Sequence, residues 1–532
     1  MSAVPWTVGR YVVEVLAANG IDTVFGIPGV HNIELYRGLG ASGLRHVLAR
    51  HEQNAGFAAD GFARASGRVA AVFVISGPGL TNALTAIAQA HSDSVPLLVI
   101  ASTPLRASLG RGWGVLHELA DQRALAAGVT GLACHALTAD ELRERLREVF
   151  AFLGRGRPRP AYLGIPLDLL AEPTALRPER FAPPVEVPQP AAAALAAARA
   201  LLEGARRPLV IAGGGARHAG APLGRLLQAL DAYLVTTTAG KGVLAETHPA
   251  NLGASLPYRA TQELIASADV VLAAGTELAE TDVYTTTRLE LPGRVVRIDI
   301  DATRFTDHYA ADVALHGDAA ATLEALAREL PARRGWRSAC GDAAVHRRAI
   351  EAQLTGRACA CLAAVRSIRA ALPPDGMVFS DMTQIAYTGN YAFAADRPGV
   401  WFHPCGYGTL GFALPAAIGA RIAAPGRAVV ALAGDFGAQF TLQELVTAVE
   451  LELPLPIVVW NNRALGQIRD DMCAAGIAPV AVTGRNPDFA QLAAACGASG
   501  RRVRGPEALT DGIRAALGTR GPTLLEADDT DF

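Results

Sequence analysis

The sequence predicts an α/β fold of three consecutive domains with mainly parallel sheets, and two observations carry that expectation. Short apolar runs rich in branched residues alternate with stretches of helical spacing, the pattern of domains built on parallel sheets. Two irregular stretches then divide the 532 residues: RPERFAPPVEVPQP (177–190), with five prolines and almost no periodicity, and the polar, basic PARRGWRSACGDAAVHRR (331–348). The first reads as an extended linker and the second as a connection with some helix. The expected domains are 1–176, 190–330 and 355–532.

In the first domain, strands are expected near TVFGIPG (23–29), AVFVISGPG (71–79) and PLLVIAS (96–102). RHVLARHEQNAGFAADGFARASG (45–67) places Glu52 just after a further strand and at the start of a helix of small residues. The middle domain has PLVIAGGG (208–215), VVLAAG (270–275) and VVRIDID (295–301). Its Gly213-Gly214-Gly215 turn is not a GxGxxG fingerprint, and a tight strand-to-helix turn explains it equally well. In the third domain RAVVALAG (427–434) and IVVW (457–460) flank Leu442, Leu445, Val446, Val449 and Leu453, which recur at helical spacing. Thr441 and Glu444 read as a capping box that starts this helix, and Pro454 and Pro456 as its end.

Hydrophobic residues make up 51% and charged residues 18% of the chain, as expected for buried sheets, and the net charge of -2 gives no reason to expect nucleic acid or an anionic membrane as partner. Seven cysteines without a CxxC pair suit reduced thiols. No secretory signal and no run of 18 apolar residues is visible, so a cytoplasmic protein is expected.

If the strands that end at Gly434 and Trp460 are parallel, Asp435 and Asn462 meet at the carboxyl edge where open α/β sheets bind ligands. Asp435 offers charge and Asn462 a neutral oxygen, a pair able to hold magnesium while phosphate oxygens and water complete its shell. The amides at the start of the 441–453 helix would add partial positive charge toward an anion. A Gly-Asp strand end and an Asn-Asn turn are also common structural punctuation. Glu52 has two readings as well: a glutamate answering the helix dipole, or a carboxyl whose pKa is raised among small apolar residues.

SGPGLTN (76–82) and GYGTLGFALPAAIGA (406–420) are glycine-rich loops that allow close approach of backbone to a ligand. Together with Glu52, Gly434-Asp435 and Asn461-Asn462, they resemble the thiamine-diphosphate enzymes of the acetolactate synthase and 2-oxo acid decarboxylase group, over the whole chain. The resemblance implies a pyrimidine-binding domain, a central Rossmann-like domain and a diphosphate-binding domain. It implies that Glu52 hydrogen-bonds the aminopyrimidine ring as a relay acid/base, and that the backbone at Gly77 approaches the cofactor. Leu410 would wedge the two cofactor rings apart, and the Gly408 carbonyl would accept a bond from the exocyclic amine. Asp435, Asn462 and the Ala464 carbonyl match the magnesium ligands, and Met382, Thr383 and Gln384 with Gly434, Phe436 and Gly437 match the diphosphate loops. It further implies a homodimer as the smallest functional unit, commonly paired into a tetramer, because Glu52 and the 408–464 elements come from different subunits. Phe436 departs from the family pattern, which has glycine there, so its side chain must point away from the diphosphate.

In relatives the product is set after carbon dioxide leaves, by protonation to an aldehyde or by attack on a second carbonyl. His117 and Glu118, in LGRGWGVLHELADQRALAAGVT (109–130), stand where synthases carry a glutamine-glutamate pair and decarboxylases place histidines. A histidine there can shuttle the closing proton, and an exposed loop histidine is the alternative. In ALGQIRDDMCAAGI (464–477), Asp471 takes the place of the acceptor-site tryptophan of acetolactate synthases, beside Asp470 and after Gln467 and Ile468. An acidic pair suits a guanidinium better than pyruvate, and a solvated helix face is the alternative. The chain looks most like the branch that decarboxylates 5-guanidino-2-oxopentanoate. Acetolactate synthase or another pyruvate carboligase is the runner-up, a flavin-dependent oxidase ranks third, and a catalytically silent paralogue is the reading from another class. GTELAETDVYTT (275–286) lacks the Arg-Phe-Asp-Asp segment of flavin-binding synthases, which argues against FAD.

Overall fold

The computed structural model describes all residues except 1–5, 182–186, 285–287, 329, 333–334 and 355. Parts of the expected linkers, of the amino terminus and of the 275–286 segment therefore lie outside the described residues. The first sheet holds β1 (Thr23–Gly26), β2 (Arg45–Leu48), β3 (Ala70–Val74), β4 (Leu97–Thr103), β5 (Leu132–His135) and β6 (Ala161–Pro166) in the order β2-β1-β3-β4-β6-β5. The second holds β7 (Pro208–Ala212), β8 (Tyr233–Thr236), β9 (Val270–Ala274), β10 (Arg294–Asp299) and β11 (Val313–His316), ordered β11-β10-β9-β7-β8. The third comprises β12 (Met377–Ser380), β13 (Trp401–Phe402), β14 (Val429–Gly434), β15 (Pro456–Asn461), β16 (Ser499–Val503) and β17 (Thr523–Asp528), ordered β13-β12-β14-β15-β17-β16.

Neighbouring strands in all three sheets pair in parallel. Central strands such as β3, β4, β14 and β15 are buried along their whole length, as helices on both faces require. The first and third sheets share one strand order. In each, the chain reverses direction across the sheet beside the first strand, so the loops after β1 and β3, and those after β12 and β14, face each other over a crevice.

One core joins the first and third domains, with Phe57 and Phe412 edge to face at 5.6 Å. Helices Glu52–Ser66 and Ala413–Ala423 cross so closely that a Cβ on Gly61 would sit 2.0 Å from the Ala416 carbonyl oxygen, and one on Gly419 would sit 1.8 Å from that of Ala58. The small residues of 54–63 serve this crossing. In the middle domain, Gly213 and Gly215 pack against Gly275, so the glycine run makes a tight turn between adjacent strand ends.

The helix expected over 441–453 is corrected. Helix Asp435–Thr441 begins at the strand end itself, and a second helix, Glu444–Glu450, follows. Thr441 caps nothing: its hydroxyl donates to the Gly411 carbonyl at 3.0 Å. Buried Glu444 turns to the first domain, accepting from the Arg50 amide at 2.6 Å and from Asn54 Nδ2 at 3.1 Å. The amides nearest the Asp435 edge are thus those of Asp435 to Gly437. The 331–348 segment is also more than a connection, since Trp336 is buried edge to face with Tyr233 at 5.2 Å.

Candidate active site at two sheet edges

The third sheet brings Asp435 and Asn462 together as expected. Gly434 pairs with Trp460 across β14 and β15, so the two chains leave adjacent strands at one edge. Asp435 is only 2% exposed, and burial raises its carboxyl above the usual range. Asn486 Nδ2 donates to Asp435 Oδ2 at 2.6 Å and to Asn461 Oδ1 at 2.9 Å. Asn461 anchors the turn through Glu526 Oε1 at 2.7 Å, and Arg463 takes a left-handed conformation, φ 55°. The turn is closed by the Ala464 amide on Asn462 Oδ1 at 3.1 Å, while Asn462 Nδ2 donates to Gln384 Oε1 at 3.3 Å.

The segments at 381–384, 408–411 and 434–437 meet around Asp381. Its enclosed carboxyl, pushed up to about 7 by burial, accepts from the Met382 amide at 3.0 Å and the Gly411 amide at 2.8 Å. A Cβ on Gly437 would lie 2.5 Å from Asp381 Oδ2 and 3.6 Å from Leu410 Cδ2. That cradle has no room for a side chain at 437. Thr383 approaches Gly434, and Gly408 adopts φ 68°. Phe436 is accommodated: it lies within helix Asp435–Thr441, and its ring tip rests against Gly484.

At the first sheet's edge, Glu52 begins its helix as expected. It is half-buried and accepts from Asn82 Nδ2 at 3.0 Å. Gly77 turns at φ 62°, where a Cβ would meet the His117 carbonyl oxygen at 2.6 Å. The loop from 104 to 121 thus folds onto the SGPG turn and holds His117 at φ 64°, a strained position for a residue with a side chain. Glu118 does not face the crevice: its carboxylate accepts from the amides of Gly112 at 2.9 Å, Gly114 at 2.7 Å and Val115 at 3.2 Å. It clamps its own loop. Gln122, buried, fixes the turn by accepting from the Gly77 amide at 3.0 Å and donating to the Ser102 carbonyl at 2.9 Å.

Asp470 and Asp471 lie on helix Gly466–Ala474 but are not equivalent. Asp470 is answered within the chain, by Arg357 Nη1 at 3.0 Å, Gln384 Nε2 at 2.8 Å and Arg469 Nε at 3.2 Å. Asp471 accepts from neutral Gln467 at 2.9 Å. Its charge also helps raise the Tyr387 hydroxyl to about 12, after burial and Asp381. The expected acidic pair is therefore one engaged acid and one acid facing a neutral amide, with Ile468 half exposed beside them. Sequence reasoning missed Asn486 and Arg357, which reach the site from distant segments.

Three family descriptions of thiamine pyrophosphate enzymes match in order: the N-terminal TPP binding domain over residues 6–125, the central domain over 195–326 and the C-terminal TPP binding domain over 381–527. The chain belongs to this family. A protein of Pseudomonas aeruginosa named probable 2-ketoarginine decarboxylase AruI is 51% identical, covering 98% of this chain and 93% of that protein. Large subunits of Escherichia coli acetolactate synthase are more distant: isozyme 3 is 32% identical over 95% of this chain and 91% of its own, and isozyme 2 is 30% identical over 97% and 94%. Asp435, Asn462 and Ala464 form a hard-oxygen set at the sheet edge, beside the glycine cradle at 437. One carboxylate with neutral oxygens fits a magnesium ion that also takes phosphate oxygens. Among the described residues no helix is long and apolar enough to cross a membrane.

Proposed function

We propose that this protein decarboxylates a 2-oxo acid with a cationic side chain, 5-guanidino-2-oxopentanoate, releasing carbon dioxide and 4-guanidinobutanal. Magnesium would be held by Asp435, the Asn462 side chain and the Ala464 carbonyl, and the diphosphate by the backbone of Met382 to Gln384 and Gly434 to Gly437. When bound, thiamine diphosphate would supply a carbon nucleophile and an electron sink for decarboxylation. Glu52 would hold and pass a proton at the pyrimidine, Leu410 and the Gly408 carbonyl would hold the cofactor rings, and His117 would supply the closing proton. Glu118 supports His117 by clamping the loop.

The observation that carries the substrate reading is Asp471, whose hydrogen-bond partner is neutral Gln467 while neighbouring Asp470 is already paired with Arg357. A guanidinium would complete Asp471 by a charge-assisted bond. The name of the Pseudomonas relative supports the same substrate. Pyruvate carboligation is the second reading, favoured by the synthase relatives. A homodimer, paired further into a tetramer, is supported by exposed apolar side chains near both edges: Val30 at 68%, Trp113 at 66% and Leu116 at 62% on one, Tyr407 and Phe440 at 56% on the other. The free cysteines suit the cytoplasm.

The test is product analysis of the protein with thiamine diphosphate and magnesium, offered 5-guanidino-2-oxopentanoate or pyruvate. The aldehyde from the first acid and little turnover of pyruvate is the expected outcome; acetolactate from pyruvate at the higher rate would replace this reading by the second.

A further inference from the structure

The first sheet's crevice, between the loops after β1 and β3, holds a second histidine. His31 is 9% exposed, and its Nδ1 is hydrogen-bonded to the Ser76 hydroxyl. Ser76 is fixed in turn, its amide donating to Ser102 Oγ at 3.1 Å. The His31 and His117 rings meet edge to face at 4.5 Å between centroids, with planes at 62°. His117 Nδ1 is enclosed and has no hydrogen-bond partner among the described atoms. The elements that contribute are three: the turn at 27–32, the SGPG turn and the 104–121 loop.

We propose that His31 is a positioning residue for His117, its ring fixed by Ser76 and packed edge to face so that the two rings act as one unit. Three features support this. The left-handed His117 backbone is strained and is held by packing onto Gly77, which spends conformational freedom on one ring orientation. Two imidazoles this close cannot both be charged without strong repulsion. His31 is pushed below the ordinary histidine range, first by burial and then by the charge of His117. The charge that acts on His31 is that of His117, and the Glu118 carboxylate of the same loop is engaged by the Gly112 and Gly114 amides. His31 thus holds its ring through Ser76 and sets it against the ring of His117. The proposal rests on the reading that His117 gives the closing proton; that proton passes from the His117 imidazolium to the substrate carbon, and the neutral ring regains one from water.

Holoenzyme carrying His31→Phe, His31→Asn, Ser76→Ala or His117→Gln separates the possibilities. On whichever 2-oxo acid is turned over, His31→Phe and Ser76→Ala should lower kcat about tenfold with KM within about twofold, and shift the pH profile of kcat. The double variant with His117→Gln should be no slower than His117→Gln alone. His31→Asn, which can still bond Ser76, should recover part of the loss. Deuterium exchange at the histidine ring carbon, read by mass spectrometry against pH, needs no turnover, so it stands whether or not the substrate reading holds. The His31 midpoint should rise by about half a unit or more in His117→Gln. An unmoved His31 midpoint overturns the coupling of the two rings. A His31→Phe enzyme with unchanged kcat and pH profile, or a double variant slower by the product of the single losses, overturns the positioning role.

Discussion

Asp471→Asn offers a narrow perturbation, because it exchanges one oxygen for an amide and removes one charge without loss of volume. In the wild-type chain Asp471 keeps its bond to Gln467, and that partner can be retained by the asparagine oxygen. What disappears is the charge that would meet a guanidinium. A charge-assisted hydrogen bond contributes about 1.5–3 kcal/mol, and because Asp471 is exposed in the single chain, the lower end is appropriate unless a second subunit encloses it. This corresponds to a fall of about tenfold in kcat/KM for 5-guanidino-2-oxopentanoate, carried by KM, with pyruvate changed by less than about twofold. Steady-state kinetics on both acids, following carbon dioxide release, reads the effect. Asp470→Asn is the companion: it breaks the pairing with Arg357 and should hurt both acids alike. Equal losses on both acids from Asp471→Asn, or no loss at all, would refute selection by charge.

Three further outcomes are expected. Glu52→Gln keeps the Asn82 contact available but removes the relay proton, so turnover should fall by a factor on the order of 100 or more while the cofactor still binds by calorimetry; unchanged turnover would remove its role. Gly61→Ala places a methyl 2.0 Å from the Ala416 carbonyl, and although alanine favours a helix by about 1 kcal/mol, overpacking should outweigh it and lower the midpoint of urea unfolding. His403 is buried with its pKa lowered to about 3, chiefly by burial. The unfolded chain therefore takes up a proton that the folded chain refuses as pH falls below about 6.5, so this group's contribution is intact above that pH and about 2 kcal/mol is lost by pH 5. His403→Gln should flatten that part of the stability profile, measured by denaturant titration at pH 5 and 7.

The parallel architecture was legible because buried central strands such as β3, β9, β14 and β15 are continuous apolar runs. The edge strand β16, Ser499–Val503, was not, since most of it is exposed and polar. Asp435, Asn462 and Glu52 were readable for a related reason: each follows a strand end, where local sequence dictates position. The Thr441 and Glu444 pattern misled because tertiary partners, Gly411 and the first domain, outcompete a local cap. Asp470 misled for the same reason. Its partner Arg357 lies 113 residues away, so no local pattern announces that its charge is taken. Asn486 and His31 belong to turns brought in by the sheet topology, and only the fold shows which groups they meet.

The most direct measurement runs the holoenzyme with 5-guanidino-2-oxopentanoate in deuterium oxide and determines the product and its label by mass spectrometry. The expected product is 4-guanidinobutanal bearing one deuterium on the aldehyde carbon, formed with a higher kcat/KM than any pyruvate-derived product. A ligated hydroxyketone, or preferred conversion of pyruvate to acetolactate, would contradict it.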